Sequence, residues 1–182
     1  MNLGRQGASG PVIEKFVGDH EQSIDGKGRV SIPTKLRRVV EARDPDWTSG
    51  ERPQLMVVYG TRSWNRLECY PIDQYQKIIA GIEVMPWGSE DRIIAEGVFF
   101  SRVFPAEILD DGRLQVPLEH RERLGLKDKV RVIGVGDFFK IVKSEEPDDM
   151  APEDDLDALI DARGRGHALQ LIPDVSQKKT SE

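Results

Sequence analysis

One cysteine, Cys69, stands in the 182 residues. A lone thiol closes no intrachain disulfide and points to a reducing compartment. Long hydrophobic runs are missing as well: no apolar stretch approaches the roughly 20 residues that a membrane helix needs. Met1 to Gly10 is Gly/Ser-rich and holds no apolar segment of the signal-peptide kind. A cytoplasmic location is therefore expected, and a membrane partner is not. The constellations that carry catalysis are missing too. His20, His120 and His167 show no metal-ligand spacing, and Cys69 has no histidine near it in sequence. Gly134-x-Gly136 lacks the rest of a dinucleotide fingerprint. No metal, no cofactor, no small-molecule substrate and no enzymatic activity are expected.

The charge is uneven. The formal net charge is −6, but Ser144 to Glu182 alone carries 11 acidic and 4 basic residues, a net of −7. The chain up to Lys143 is then close to neutral, at +1. The overall acidity belongs to the tail and does not argue against a nucleic-acid partner.

Within the neutral part, Ile24-Asp25-Gly26-Lys27-Gly28-Arg29-Val30-Ser31-Ile32-Pro33 organises the rest. Asp25 and the glycines Gly26 and Gly28 make a turn. Val30 and Ile32 lie on one face of a short strand, and Pro33 ends the pairing. Thr34 is placed to cap a helix whose apolar positions Leu36, Val39 and Val40 follow helical spacing. The pattern returns 84 residues on, in Asp110-Asp111-Gly112-Arg113-Leu114-Gln115-Val116-Pro117. Arg121 then stands where Arg37 does. This is an internal repeat.

The remaining elements follow the same rules. A strand over Phe16–Ile24 is expected to pair with Val30–Ile32 across the first turn. Residues 44–54, with two prolines and Gly50, read as a loop. Leu55–Tyr59 and Trp64–Tyr70 form a strand pair. Two helices follow, one after Pro71 and ended by Pro86, the other capped by Ser89 and running to about residue 100. The second repeat opens with a strand over Val103–Leu109, has a helix over about 118–124 closed by Gly125, and finishes with a hairpin over 130–142. The division expected is a flexible tail over 1–15, repeat one over 16–76, helices over 77–102, repeat two over 103–146, and an acidic, mostly disordered tail over 147–182. Each repeat is only about 50–60 residues of short strands and is marginal alone. Two such halves stabilise each other by interlocking, which predicts an α+β, β-rich pseudo-two-fold barrel with both turns on related positions of one surface.

These residues carry a resemblance. Phe16-Val17-Gly18, the two Gly-Arg turns and Val132–Ile141 resemble the MraZ family of bacterial transcriptional regulators, built from two SpoVT-AbrB (swapped-hairpin) repeats. The likeness covers about Phe16 to Lys143. It implies a nucleoid-associated, ring-shaped homo-oligomer that binds double-stranded DNA at tandem promoter boxes of the division and cell-wall gene cluster. It also implies DNA contacts from Lys27, Arg29 and Arg113, with Asp25, Gly26, Gly28, Asp110 and Gly112 supporting the turns. One departure stands out. Aligned on Gly-Arg, Leu109 occupies the place of Asp25; aligned on the acid, the second turn is one residue short.

The chemistry agrees independently. Lysine and arginine on a glycine-rich turn approach phosphates closely, and arginine pairs with guanine in the major groove. Lys35, Arg37, Arg38 and Arg43 extend the basic run, against Asp25 and Glu41. Arg37 and Arg38 read first as a solvated helix face. The alternative function is an oligomeric interaction module or an antitoxin-like partner-binding protein of the same fold; the duplication counts against the antitoxin.

Overall fold

Strands of three to six residues cannot bury a face unless they are combined into larger sheets. The computed structural model, which describes residues 14–144, shows how this chain combines them. Repeat one supplies β1 (Asp19–Ser23), β2 (Arg29–Ser31), α1 (Thr34–Ala42), β3 (Gln54–Val58) and β4 (Arg66–Pro71). Two helices follow, α2 (Ile72–Glu83) and α3 (Glu90–Phe99). Repeat two supplies β5 (Val103–Glu107), β6 (Arg113–Gln115), α4 (Leu118–Leu124), β7 (Lys129–Gly134) and β8 (Phe139–Lys143). The N-terminal tail expected over 1–15, but for its last two residues, and the acidic tail expected over 147–182 lie outside the described residues.

The halves exchange strands. A six-stranded antiparallel sheet runs β1-β7-β8-β4-β3-β5, and a two-stranded ribbon joins β2 to β6. Exchanging each strand for its repeat counterpart reads the order backwards, so a pseudo-two-fold axis passes between β4 and β8. β1 lies on β7 of the other repeat, with Asp19 opposite Ile133, and β5 lies on β3, with Gln54 opposite Glu107. The fold is α+β, a pair of interlocked hairpin repeats with a helical pair between them.

The strand over Phe16–Ile24 was expected to pair with Val30–Ile32. Only the bridge from Ile24 to Val30 survives of that pairing. The local turn forms, but each flanking strand finds its ladder in the other repeat. Val30 pairs with Leu114 across the ribbon, and both are fully buried. A local hairpin would leave each half with its small apolar face uncovered; the exchange covers both.

Burial on two sides explains why β3 reads as a continuous apolar run rather than an alternating one. Leu55 and Val57 join the main core with Val30, Leu114, Leu36 and Phe139. Met56 and Val58 face the opposite way, onto Tyr70, Tyr75, Ile78 and Phe99. The α2–α3 pair therefore sits on the outer face of the central strands, fastened where the Tyr75 hydroxyl donates to the Phe99 carbonyl. The expected division at 76/77 falls inside α2.

Helix ends follow their residues. Ser89 caps α3 by accepting the Arg92 N–H at 3.3 Å, and Gly125 closes α4 in the left-handed conformation at φ +61°. Thr34 does not cap α1. Pro33 holds the cap position at φ −52°, and the Thr34 hydroxyl accepts from Arg37 Nη2 at 2.8 Å instead. Truncating the ribbon's centre, Leu114→Ala, is expected to cost about 2–5 kcal/mol in urea unfolding. A loss below about 0.5 kcal/mol, the ordinary range of a surface substitution, would contradict this packing.

Candidate functional site

A short acid before two glycines is built to accept backbone N–H groups as a turn closes. Asp25 does this: its Oδ1 accepts the N–H of Lys27 and of Arg29, each at 3.0 Å. Its Oδ2 accepts Arg29 Nε at 2.7 Å. The Gly28 N–H donates to the Asp25 carbonyl at 2.8 Å, and the Asp25 N–H to the Arg29 carbonyl at 3.1 Å. The backbone N–H of Arg29, then its guanidinium and the N–H of Lys27, hold the Asp25 carboxyl at about 2. The carboxylate is thus committed to shaping the turn. Only Nε of Arg29 is hydrogen-bonded, and among the described residues neither its terminal amines nor the exposed Lys27 ammonium has a hydrogen-bond partner, although the guanidinium charge also lies near Asp111.

The second turn settles the question of register. The Leu109 N–H donates to the Arg113 carbonyl at 2.8 Å, and the Gly112 N–H to the Leu109 carbonyl at 2.8 Å. These are the bonds that residues 25, 28 and 29 make in the first turn. The second turn therefore has full length, and Leu109 stands in the place of Asp25. Asp110 and Asp111 then occupy the places of Gly26 and Lys27. Asp111 takes over part of the missing acid's work, accepting Arg113 N at 3.2 Å and Nε at 2.8 Å. Asp110 is drawn to Arg52, whose Nε and Nη2 reach it at 2.9 and 2.8 Å. Each arginine lowers the pKa of the carboxyl it holds, Arg113 that of Asp111 and Arg52 that of Asp110.

The two turns meet through side chains. Arg113 Nη1 crosses to Asp25 Oδ2 at 3.1 Å, so one carboxylate gathers both repeat arginines. Gly28 and Gly112 are buried at φ +83° and +79°. A Cβ at Gly28 would stand 2.5 Å from the Val116 carbonyl oxygen and 2.7 Å from Arg121 Cδ. One at Gly112 would stand 2.6 Å from Arg37 Nη1. Conformation favours glycine at both, and at Gly28 the Val116 carbonyl leaves no space for a side chain as well.

The structure thus brings together Asp25, Lys27, Arg29 and Arg113, with Gly26 exposed beside them and Gly112 beneath Arg37. It sets Asp110 apart on Arg52. Within the basic run, Lys35 and Arg38 are exposed, whereas Arg43 is buried against Asp73 at 3.0 Å and adds nothing to the surface charge. Arg37 is not the solvated residue expected: it is half-buried over the other repeat's glycine. Arg121 mirrors it over Gly28. In the sequence these two arginines match, but their spacing alone assigns them no task. Their signal was the constant nine-residue spacing from Gly28 to Arg37 and from Gly112 to Arg121. Among the described residues no group of three His, Cys, Asp or Glu side chains could hold a metal ion. No helix there is long and apolar enough to cross a membrane.

A strand-exchanged tandem repeat, with two arginine turns gathered on one carboxylate, defines a class of double swapped-hairpin proteins. Residues 16–91 match the family model described as "MraZ protein, putative antitoxin-like". The transcriptional regulator MraZ of Ruegeria pomeroyi is 38% identical over 130 residues, 71% of this chain and 78% of that protein. The protein of the same name from Ruegeria sp. (strain TM1040) is 39% identical over 131 residues, 72% and 78% of the two chains. That of Acetivibrio thermocellus is 28% identical over 120 residues, 66% and 75%. The chain belongs to the MraZ family.

The Asp25 carboxyl gives a pH prediction whose sign is fixed. Its folded pKa lies below the ordinary carboxylate value of about 3.9. Its contribution to the turn is therefore complete above that value and is lost as pH falls through about 2. In an NMR titration the Asp25 carboxyl should remain ionised at pH 3. A midpoint at the ordinary value would show that the turn does not hold it.

Proposed function

We propose that this chain is a sequence-specific DNA-binding transcriptional regulator and not an enzyme. The first turn supports this reading most directly. Asp25 locks Arg29 by Nε alone, which leaves its outer edge for a base, and Lys27 stands exposed two residues away for a phosphate. An arginine fixed at one nitrogen loses less side-chain freedom when it pairs with guanine. Arg113, engaged by Asp111 and Asp25 on three nitrogens, is the weaker contact of the set. The name of the relatives, transcriptional regulator, points the same way.

The finer reading is that the protein acts as a ring-shaped homo-oligomer on tandem promoter boxes of the division and cell-wall gene cluster, in the cytoplasm at the nucleoid. The α3 helix supports an assembly: none of its residues is fully buried, and Ile93 and Ile94 are 60% and 58% exposed. Trp87 and Val84, just before it, are more open still. Apolar side chains clustered in this way mark a surface that another subunit covers. Sedimentation at micromolar concentration should give a species well above a dimer. A monomer there would remove the ring.

Footprinting on the DNA upstream of the protein's own gene supplies the operator. On that duplex, Arg29→Ala should lose about 1–3 kcal/mol per subunit contact at fixed salt, with thermal stability little changed. A ring that meets several boxes at once multiplies the loss. Lys27→Ala should weaken operator and scrambled DNA alike and flatten the salt slope by about one per contact. Arg113→Ala should fall between wild type and Arg29→Ala. If an intact, fully assembled Arg29→Ala protein discriminates as wild type does, this turn is not the reader.

A further inference from the structure

The two turns share a backbone but not a support. Every residue of the first turn from Asp25 to Gly28 is touched by a side chain of the second repeat. Arg113 reaches the Asp25 carboxylate at 3.1 Å. Arg121 Nη1 donates to the Gly26 carbonyl at 3.2 Å. Gln115 Nε2 donates to the Lys27 carbonyl. The stem of Arg121 lies against Gly28, so close that a methyl group there would collide with it. Arg121 Nε, like that of its counterpart Arg37, is buried and has no hydrogen-bond partner among the described residues. An unmet buried donor is costly, and the position is held by the packing on Gly28 and the bond to Gly26.

The reverse support does not reach the turn's backbone carbonyls. Arg37, the counterpart of Arg121, packs on Gly112 but donates to Thr34 of its own helix. Ser31 corresponds to Gln115, and its hydroxyl, one atom beyond Cβ, is too short to repeat the reach to a turn carbonyl. The first repeat holds the second turn by a side chain instead, through Arg52 on the Asp110 carboxylate. The second turn's tip also carries two carboxylates where the first turn has Gly26 and Lys27, which phosphate repels. The duplication has produced one presented turn and one supporting repeat.

We propose that Arg121 and Gln115 are positioning residues for the DNA-reading turn: held from the second repeat, they fix the Gly26 and Lys27 carbonyls and thereby aim Lys27 and Arg29. This rests on the reading that Lys27 and Arg29 meet DNA. Neither Arg121 nor Gln115 contacts the nucleic acid in this arrangement. Their effect is on discrimination rather than on charge. A loose turn still attracts phosphate through Lys27 but no longer holds the Arg29 edge in one orientation, so the loss falls on base readout.

The test uses the full-length assembled protein with Arg121→Ala, Arg121→Lys and Gln115→Ala, and Arg29→Ala as reference. The probes are the footprinted duplex and a scrambled duplex of the same composition. Arg121→Ala should lower the operator-to-scrambled affinity ratio by about tenfold or more. Its affinity for scrambled DNA and its salt slope should stay as in wild type. Arg121→Lys, which keeps a long stem and a donor, should recover part of the ratio, and Gln115→Ala should lose part of it. Without DNA, hydrogen exchange at the Gly28 and Arg29 amides should speed up in Arg121→Ala while β7 and β8 are unaffected. A wild-type ratio with wild-type exchange overturns the proposal. A salt slope lowered by about one per contact also overturns it, because Arg121 would then be a phosphate ligand itself. If Arg29→Ala discriminates normally, the DNA reading fails, while the exchange data still decide whether Arg121 and Gln115 hold the turn. Should Arg121→Ala not fold, Gln115→Ala carries both measurements, since Gln115 is exposed.

Discussion

Three residues of β2 laid against three of β6 are the constraint on which the rest depends. With Val30 opposite Leu114 at its centre, the ribbon gives each short Gly-Arg strand a ladder its own repeat does not supply. It carries the Gly28 carbonyl to the Val116 N–H and the Gly112 carbonyl to the Ile32 N–H, at 2.8 and 3.1 Å. Both turns are anchored at its ends. The wider sheet applies the same rule, with β1 and β5 each completing the other half. Each repeat completes the other's strand pairing, which is the physical content of the duplication.

The chemistry of the site grows from that crossing. Antiparallel pairing of the two strands brings Arg113 near Asp25 and lets Arg121 lie over Gly28. One carboxylate, held at about 2 by the N–H groups and guanidinium around it, then orders a turn that presents one arginine edge and one ammonium to solvent. The charge that matters is local. The net of −6 over the whole chain describes the acidic tail and says nothing about this surface.

Much of this was legible in the residues. The helix at 34–42 announced itself through apolar spacing, and the one at 118–124 through the Gly125 that closes it. The Gly-Arg turns were visible because glycine at positive φ leaves a mark that no other residue does. What could not be read was partner choice. Ile24 and Val30 fit a local hairpin as well as an exchanged one, and only the total of buried surface decides between them. The alternation of Leu55 and Val57 against Met56 and Val58 was hidden for a related reason: both faces are apolar. The second turn's register stayed open because Asp110 and Leu109 were equally good candidates until backbone bonds chose Leu109. Long-range side-chain work was least visible of all. Arg43 looked like surface charge and is buried on Asp73, while Arg37 looked solvated and packs on Gly112.

The central claim is that the two repeats are one interlocked structure rather than two joined ones. Native-state hydrogen exchange under low denaturant tests it most directly, read at amides of β2, β6 and the central strands β4 and β8. In one interlocked structure, protected amides from both repeats exchange through a single opening, with a common free energy and a common denaturant dependence. The claim is contradicted if the amides of one repeat exchange through a partial opening while those of the other remain protected.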